Sequence, residues 1–429
     1  MNTKESKAPT KVKFKMTDRQ KEMWPLLILG IFFEGFDDAA LNFVLPYITK
    51  EFHLTTEIVG YALSLVGIGA LCAFFIVRMA DKVGRRPIFL GCVYLYSICS
   101  LLTVFAPNAY ALIAVQLLAR VFLIGSWSVG YIILAEEFST ETLGKVSGMY
   151  QLTAVFGALS RAILLPLILR LGFTWRALYL IGALPLIPAF FLRKNLKETP
   201  RFLELQEQKK AGIKQPTEDF FAVWRKPHTK YVLVMSLVWL FMYFGIKGSL
   251  NFLTMRLVME LSWTPNMISI TILTQTLAGM VIIGLNGRLL DKLGRKGAAL
   301  VIITVGVVAT IVQFNAQNFY VIILFGMIAA GFVNSFLIVA STLTNELFPT
   351  EIRANATAWT NNIIGRLGQI LVPSMIGILT VSMSIGHAVS VAMLMPLISL
   401  ILIFVFLPET KKLAQQANMK EVSDNSINI

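Results

Sequence analysis

RMADKVGRRP at residues 78–87 and RLLDKLGRKG at residues 288–297 are one stretch written twice, 210 positions apart. Asp81 falls on Asp291, Gly84 on Gly294 and Arg85 on Arg295. A second pair keeps the same offset: EEFSTET (136–142) matches ELFPTEI (346–352). LNF (41–43) returns as LNF (250–252), one residue out of step. A constant offset on separate stretches means that the chain is a duplicated unit, and the fold follows from what that unit contains.

Around these stretches the chain is apolar. Of 429 residues, 56% are hydrophobic and 14% charged, where a soluble domain carries about 25% charged residues. Mean hydropathy is +0.70. A bilayer-spanning helix needs about 20 apolar residues. Twelve such runs can be drawn: 24–46, 57–79, 86–105, 110–135, 144–169, 175–193, 230–255, 266–287, 297–315, 319–343, 355–382 and 386–407. The hydrophilic stretch 194–229 divides them six and six. The expected fold is an all-α membrane protein of 12 transmembrane helices in two pseudo-symmetric six-helix bundles. Residues 1–193 form the first bundle, 194–229 a cytoplasmic linker, and 230–429 the second bundle with a short tail. Inverted or repeated bundles of this kind rock about a site at the midplane.

The net charge of +14 is topological. Thirty of the 38 Lys and Arg fall on one side of the predicted membrane, which puts both termini in the cytoplasm by the positive-inside bias. Nucleic acid is not expected as a partner; the lipid bilayer is, through anionic headgroups. Cys72, Cys92 and Cys99 sit in apolar runs without metal-ligand spacing. No nucleotide-binding Gly-rich loop occurs, and no metal or nucleophile constellation points to an enzyme or a cofactor. The Lys-rich start of the chain lacks the cleavage site of a secretory signal.

The Asp-Lys-x-Gly-Arg loops resemble the signature of the major facilitator superfamily. KETPRFL (197–203) and LPETKKL (407–413) resemble motifs shared by its sugar porters and its aromatic-acid (organic-anion) proton symporters. EGFDDAALNFVLPYI (34–48) and GRLGQILVP (365–373) are similar to the first and eleventh helices of the latter group. The sequence departs from the pattern at Val77 and Leu143, where a glycine and an arginine are usual. It also lacks the helix-seven and helix-ten motifs of sugar porters, reading WLFMYFGIKGSLNF (239–252) and GFVNSFLIVA (331–340). The resemblance implies a multi-pass transporter of the cell (plasma) membrane that works by alternating access, and a monomer is expected.

Seven ionisable residues lie inside apolar runs: Glu34, Asp37, Asp38, Arg120, Arg161, Lys247 and Arg366. Each costs about 2.5–3.5 kcal/mol at the bilayer centre, so such residues face the bundle interior and mark function. Spacings of three and four place Glu34 beside both aspartates. By resemblance, Asp37 carries the proton and pairs with Arg120, with Asp38 as the other candidate. The same pair also reads as a static bridge between helices one and four. Arg366, Lys247 and Arg161 suit a carboxylate, which a guanidinium binds bidentately; they equally suit neutralisation of the helix-one acids. Gln151 matches a substrate-binding glutamine of sugar porters, or reads as an interhelical bond. Phe36, Tyr150, Trp239, Tyr243 and Trp359 are candidate cavity aromatics. By the same resemblance Asp81 and Asp291 cap helices of the opposite half. Arg85, Arg86 and Arg295 bridge to Glu136 and Glu346, and Arg353 completes the gate of the second half. The expected function is proton-coupled uptake of a small organic anion. A sugar or polyol/proton symporter is the alternative, and a non-transporting sensor fits less well for want of a signalling domain.

Overall fold

The computed structural model describes residues 16–38, 40–211 and 220–411. The basic N-terminal tail, part of the linker and most of the C-terminal tail lie outside the described residues. Among those described the chain is helical, with no strand. Helices start where a short polar side chain takes up an orphan N–H of the first turn. Thr55 accepts from Ile58 N before the helix Thr56–Val83, Asn108 from Ala111 N before Ala109–Glu137, and Ser384 from His387 N before Ile385–Ala392.

The first half runs α1 (Asp18–Asp38), α2 (Ala40–Glu51), α3 (Thr56–Val83), α4 (Arg85–Val104), α5 (Ala109–Glu137), α6 (Thr140–Arg170), α7 (Arg176–Gly182) and α8 (Leu186–Leu192). The linker carries α9 (Pro200–Lys210). The second half runs α10 (Thr229–Met259), α11 (Pro265–Asn315), α12 (Phe319–Leu347), α13 (Thr350–Thr357), a π-helical stretch Ala358–Gly365, α14 (Arg366–Leu379), α15 (Ile385–Ala392) and α16 (Met395–Phe406). Among the described residues, nine helical segments are long and apolar enough to cross a bilayer. The difference from twelve has three causes. The first span is divided into α1 and α2 at residue 39, which lies outside the described residues, and the sixth is interrupted between α7 and α8. Spans eight and nine are two helices that adjoin within α11 at Gly294, whose φ of 77° is not helical. At 1.5 Å per residue, α11 would be about 75 Å long if straight, more than twice the roughly 30 Å hydrocarbon core. It therefore crosses twice.

Without a hydrophobic driving force between helices in lipid, close packing relies on small residues. A Cβ at Gly35 would stand 2.0 Å from the Ala154 carbonyl oxygen, and one at Gly157 would stand 1.9 Å from that of Phe32. Two glycines thus set α1 against α6. The halves meet along α3 and α14, α2 and α10, and α6 and α11. Large apolar side chains such as Phe75, Ile163 and Val405 point outward, as a lipid-facing surface requires.

Candidate functional site

The site begins at the last residues of α1. Neighbouring helical side chains diverge by about 100°, so Asp37 and Asp38 point to different places. Asp37 is buried inside the first bundle, 6% exposed, and its Oδ2 accepts from Ser100 Oγ at 2.6 Å. Gly182 leaves room for its other oxygen, which a Cβ there would meet at 2.3 Å. Asp38 forms the ion pair with Arg120 of α5. The expected Asp37–Arg120 pair is thus displaced by one residue. Glu34 is buried on α1 and lies within electrostatic reach of Arg120 and Lys247.

Asp38 and Arg120 line a chamber of about 50 Å³ together with Lys247, Asn42, Asn251 and Gln369. Gly69 lets α5 come close: a Cβ there would lie 2.9 Å from Arg120 Cβ. The LNF repeat places Asn42 and Asn251 on this chamber, one from each half; the repeat was the only sign of them in the sequence. Arg366 reaches from α14 across the halves to donate to the Ala70 carbonyl at 2.8 Å. It also lines a larger cavity of about 570 Å³ with Ala70, Trp127, Tyr131, Asn362 and Asp81. This cavity opens on the face that carries the Asp81 loop, called here the basic face. On the opposite face α3 and α14 are in contact: Ser374 and Ser64 hydroxyls lie 2.6 Å apart, and a Cβ at Gly60 would meet the Pro373 carbonyl at 2.4 Å.

Arg161 does not join the other cations. It is 1% exposed, donates to the Ala158 carbonyl, and lies over the Phe36 and Phe43 rings at 5.9 and 5.3 Å. Its place is the interior of the first bundle, within electrostatic reach of Asp37. Gln151 accepts from Tyr131 Oη at 2.7 Å, so Tyr131, and not Gln151, lines the large cavity. Phe36 and Tyr150 are core residues. Trp239 stacks on Tyr243, whose hydroxyl donates to Asn361, while the Trp359 indole N–H is held by the Phe220 carbonyl of the linker.

On the basic face two equivalent networks appear, one per half. Arg85 bonds Glu136 at 3.0 Å, and Glu136 accepts from Thr199 Oγ1 at 2.5 Å. Arg295 bonds Glu346 at 2.5 Å, and Glu346 accepts from Thr410 Oγ1. The helix starts are capped by carboxylates that follow the last span of each bundle. Glu198 accepts from Arg85 N, and Glu409 from Arg295 N, each at 2.9 Å. Asp81 and Asp291 do not cap the opposite half. They are 64% and 81% exposed and pair with Arg85 and Arg295 of their own loops. Arg86 reaches the Arg193 carbonyl instead of an acid, and Arg353 donates to the Phe348 carbonyl. The signal for Glu198 and Glu409 was in the sequence: both sit in the Glu-Thr pair common to KETPRFL and LPETKKL.

The profile of the Major Facilitator Superfamily matches residues 27–262 and 248–424. The niacin transporter NiaP of Acinetobacter baylyi is 25% identical over 89% of this chain and 92% of its own. The 4-hydroxybenzoate transporter PcaK of Pseudomonas putida is 26% identical over 81% of this chain and 83% of its own. The inward-open xylose transporter XylE of E. coli superposes with a TM-score of 0.74, over 91% of this chain and 97% of that one, at 16% identity.

Proposed function

The chain belongs to the Major Facilitator Superfamily, and from that premise we propose that it carries a small organic carboxylate together with protons by alternating access. Membership makes it a multi-pass membrane transporter of small molecules and not an enzyme. The observation that supports the finer reading is the charge around the chamber. Arg120, Lys247 and Arg366 stand near one another, Asp38 lines the chamber with the first two, and the buried Glu34 lies within their reach. Three cations against two carboxylates leave one positive charge over, which favours an anion. Guanidinium groups hold a carboxylate through paired hydrogen bonds. The relatives named for niacin and 4-hydroxybenzoate agree with this class.

Coupling follows from competition. A carboxylate beside a guanidinium stays ionised, and one that loses that partner in a desolvated site takes up a proton. A substrate carboxylate arriving at Arg120 and Lys247 displaces Asp38, which then binds H⁺. The loaded chamber holds anion and proton together, and the halves 1–193 and 230–429 rock around it, joined by 194–229. The basic face, with 30 of the 38 Lys and Arg, is assigned to the cytoplasm. The conformation described is then inward-open. The protein is placed in the plasma membrane as a monomer, with anionic lipid against its basic face. In this scheme Arg85, Glu136, Arg295 and Glu346 tie helix ends within each half. The sugar reading loses its main support, since Gln151 is engaged with Tyr131.

The test is uptake into proteoliposomes under an imposed pH gradient, comparing benzoate with hexoses. Uphill accumulation of benzoate that a protonophore abolishes is expected. Asp38→Asn should keep carboxylate exchange and lose accumulation. Accumulation of hexoses alone, or undiminished accumulation by Asp38→Asn, overturns the proposal.

A further inference from the structure

α3 and α14, one from each half, pack along a seam on the face opposite the basic loops. Its contacts fall at successive levels. Gly60 meets the Pro373 carbonyl, Ser64 meets Ser374, Gly67 meets Ile370 and, last toward the basic face, Ala70 meets Arg366. Past that level the helices face open space: Ala73, Phe74 and Val77 of α3, with Ala358 and Asn362 ahead of α14, line the large cavity. One turn the other way, Gly67 and Gln369 line the charged chamber. Arg366 thus stands at the inner end of the seam, between cavity and chamber. Its bond to Ala70 is lopsided. A guanidinium has five N–H donors, and among the described residues this is the one hydrogen bond of the side chain. The acceptor lies inside a helix, where the carbonyl already has a backbone partner and offers only its second lone pair. A cation with most of its donors unspent is tied across the halves to a neutral acceptor that does not need it.

We infer that Arg366 is a latch released by the substrate: an anion in the cavity takes its guanidinium from the Ala70 carbonyl, and the seam between α3 and α14 is then free to part. The inference rests on the carboxylate reading above and adds to it how binding moves the halves. A ligand shifts a two-state equilibrium only by binding the two states unequally. Here the inequality is built into the seam. While it is closed, a carboxylate has to displace Ala70 before it can pair with Arg366. Once it has parted, Ala70 has left with the first half and nothing has to be displaced. The anion therefore binds the parted arrangement more tightly and draws the population toward it. Charge decides which ligands can do this. A carboxylate gives a guanidinium two parallel bonds, against the single one that Ala70 supplies, so an ionised ligand outcompetes the carbonyl and a neutral one does not. Arg120 and Lys247 lie within electrostatic reach of Arg366, so an anion that passes the latch meets further cations in the chamber.

The experiment is thiol labelling by a membrane-impermeant maleimide in proteoliposomes, with Cys72, Cys92 and Cys99 replaced by Ser. One reporter is Ser64→Cys, buried in the seam at 8% exposure; the other is Ala354→Cys, which lines the cavity. Benzoate should speed labelling at Ser64→Cys about tenfold, and its uncharged analogue benzamide should change it less than twofold. Adding Arg366→Gln should give the fast rate with no ligand present, and benzoate should then add less than twofold. The same change should slow labelling at Ala354→Cys, whereas a poorly folded protein would label faster at both positions. Arg366→Lys keeps a charged donor for Ala70 but not the paired bonds. Its ligand-free rates should stay within threefold of the parent, and the half-maximal benzoate concentration should rise at least tenfold. Ligand-free rates in Arg366→Gln equal to the parent's, or faster labelling at both reporters, overturn the inference. So does an equal response to benzamide. Should benzoate be carried in the uptake test without speeding labelling at Ser64→Cys, the latch falls and the carboxylate reading stands. Should benzoate not be carried at all, that reading falls and the ligand half of the inference with it, while the ligand-free rates still decide whether Arg366 holds the seam.

Discussion

At positions 37 and 38 a step of one residue decides between two environments. Both aspartates, and all four intramembrane cations, were legible as buried charges from hydropathy alone. Their facing was not, because the helical period gives the 100° step between the two side chains but not which helix packs against each side of the first span. Arg161 shows the same limit. Its place in the fifth span is read from sequence, but only the packing of Phe36 and Phe43 around it takes it out of the cavity. Its position within electrostatic reach of Asp37 suits it to balance that acid. Removing one member of a buried charge pair costs about 3–5 kcal/mol, whereas replacing both by apolar or neutral groups is far less costly. Arg161→Met should therefore lower the unfolding midpoint in detergent by several degrees and leave substrate KM within twofold. The double variant Asp37→Asn with Arg161→Met should recover most of the loss. A large rise in KM in Arg161→Met at unchanged midpoint would return Arg161 to the substrate.

Among the elements, helix starts with Asn, Ser or Thr caps were readable in place, as at Asn108 and Ser384. The bends were not. Spans eight and nine are separated by the single non-helical residue Gly294, and the eleventh span carries a π-helical stretch. Both depend on what packs against them. Gly294 at φ 77° turns the chain so that the N–H groups of Arg295 and Lys296 meet Glu409. Gly84, at φ 122°, does the same for Glu198. Burial pushes the Glu409 carboxyl pKa up, but the N–H groups of Arg295, Lys296 and Lys411 outweigh it, and the net shift is down from 4.5. A carboxyl group with a lowered folded value stabilises the fold above its unfolded value and loses that contribution as pH falls through the folded one. Glu409→Gln keeps an acceptor and removes the charge. At pH 7 it should be less stable by about 0.5 kcal/mol, the scale of a charge at a helix N-terminus. Thermal unfolding followed from pH 7 to pH 3 should show the two proteins converging as pH drops below 4.5. A gap that stays constant down to pH 3 would assign the effect to packing.

For the whole molecule, the repeat at offset 210 made the two bundles legible, but not which face is open. One sequence must populate both arrangements of the halves, so no residue pattern encodes a single one. The arrangement described here is held by small residues on the face opposite the basic loops. A Cβ at Gly60 would lie 2.4 Å from the Pro373 carbonyl and 2.9 Å from Gly377 Cα. A larger side chain fits only if α3 and α14 separate there, which closes the cavity on the basic face. Overpacking of this kind costs about 1–3 kcal/mol, and about 1.4 kcal/mol is a tenfold change in a two-state ratio. Gly60→Leu should thus shift the population toward the arrangement open on the other face by roughly tenfold. The measurement is thiol labelling of Ala354→Cys, which lines the large cavity, in a background with Cys72, Cys92 and Cys99 replaced by Ser. Labelling from the basic face should slow about tenfold in Gly60→Leu, and net uptake should fall with it, since the carrier then rarely returns to release its load. Gly60→Ala, adding a single methyl group, should give a smaller effect of the same sign. Equal labelling rates in all three proteins would mean that the Gly60 contact does not control which face is open, and the rocking of the two bundles would have to pivot elsewhere.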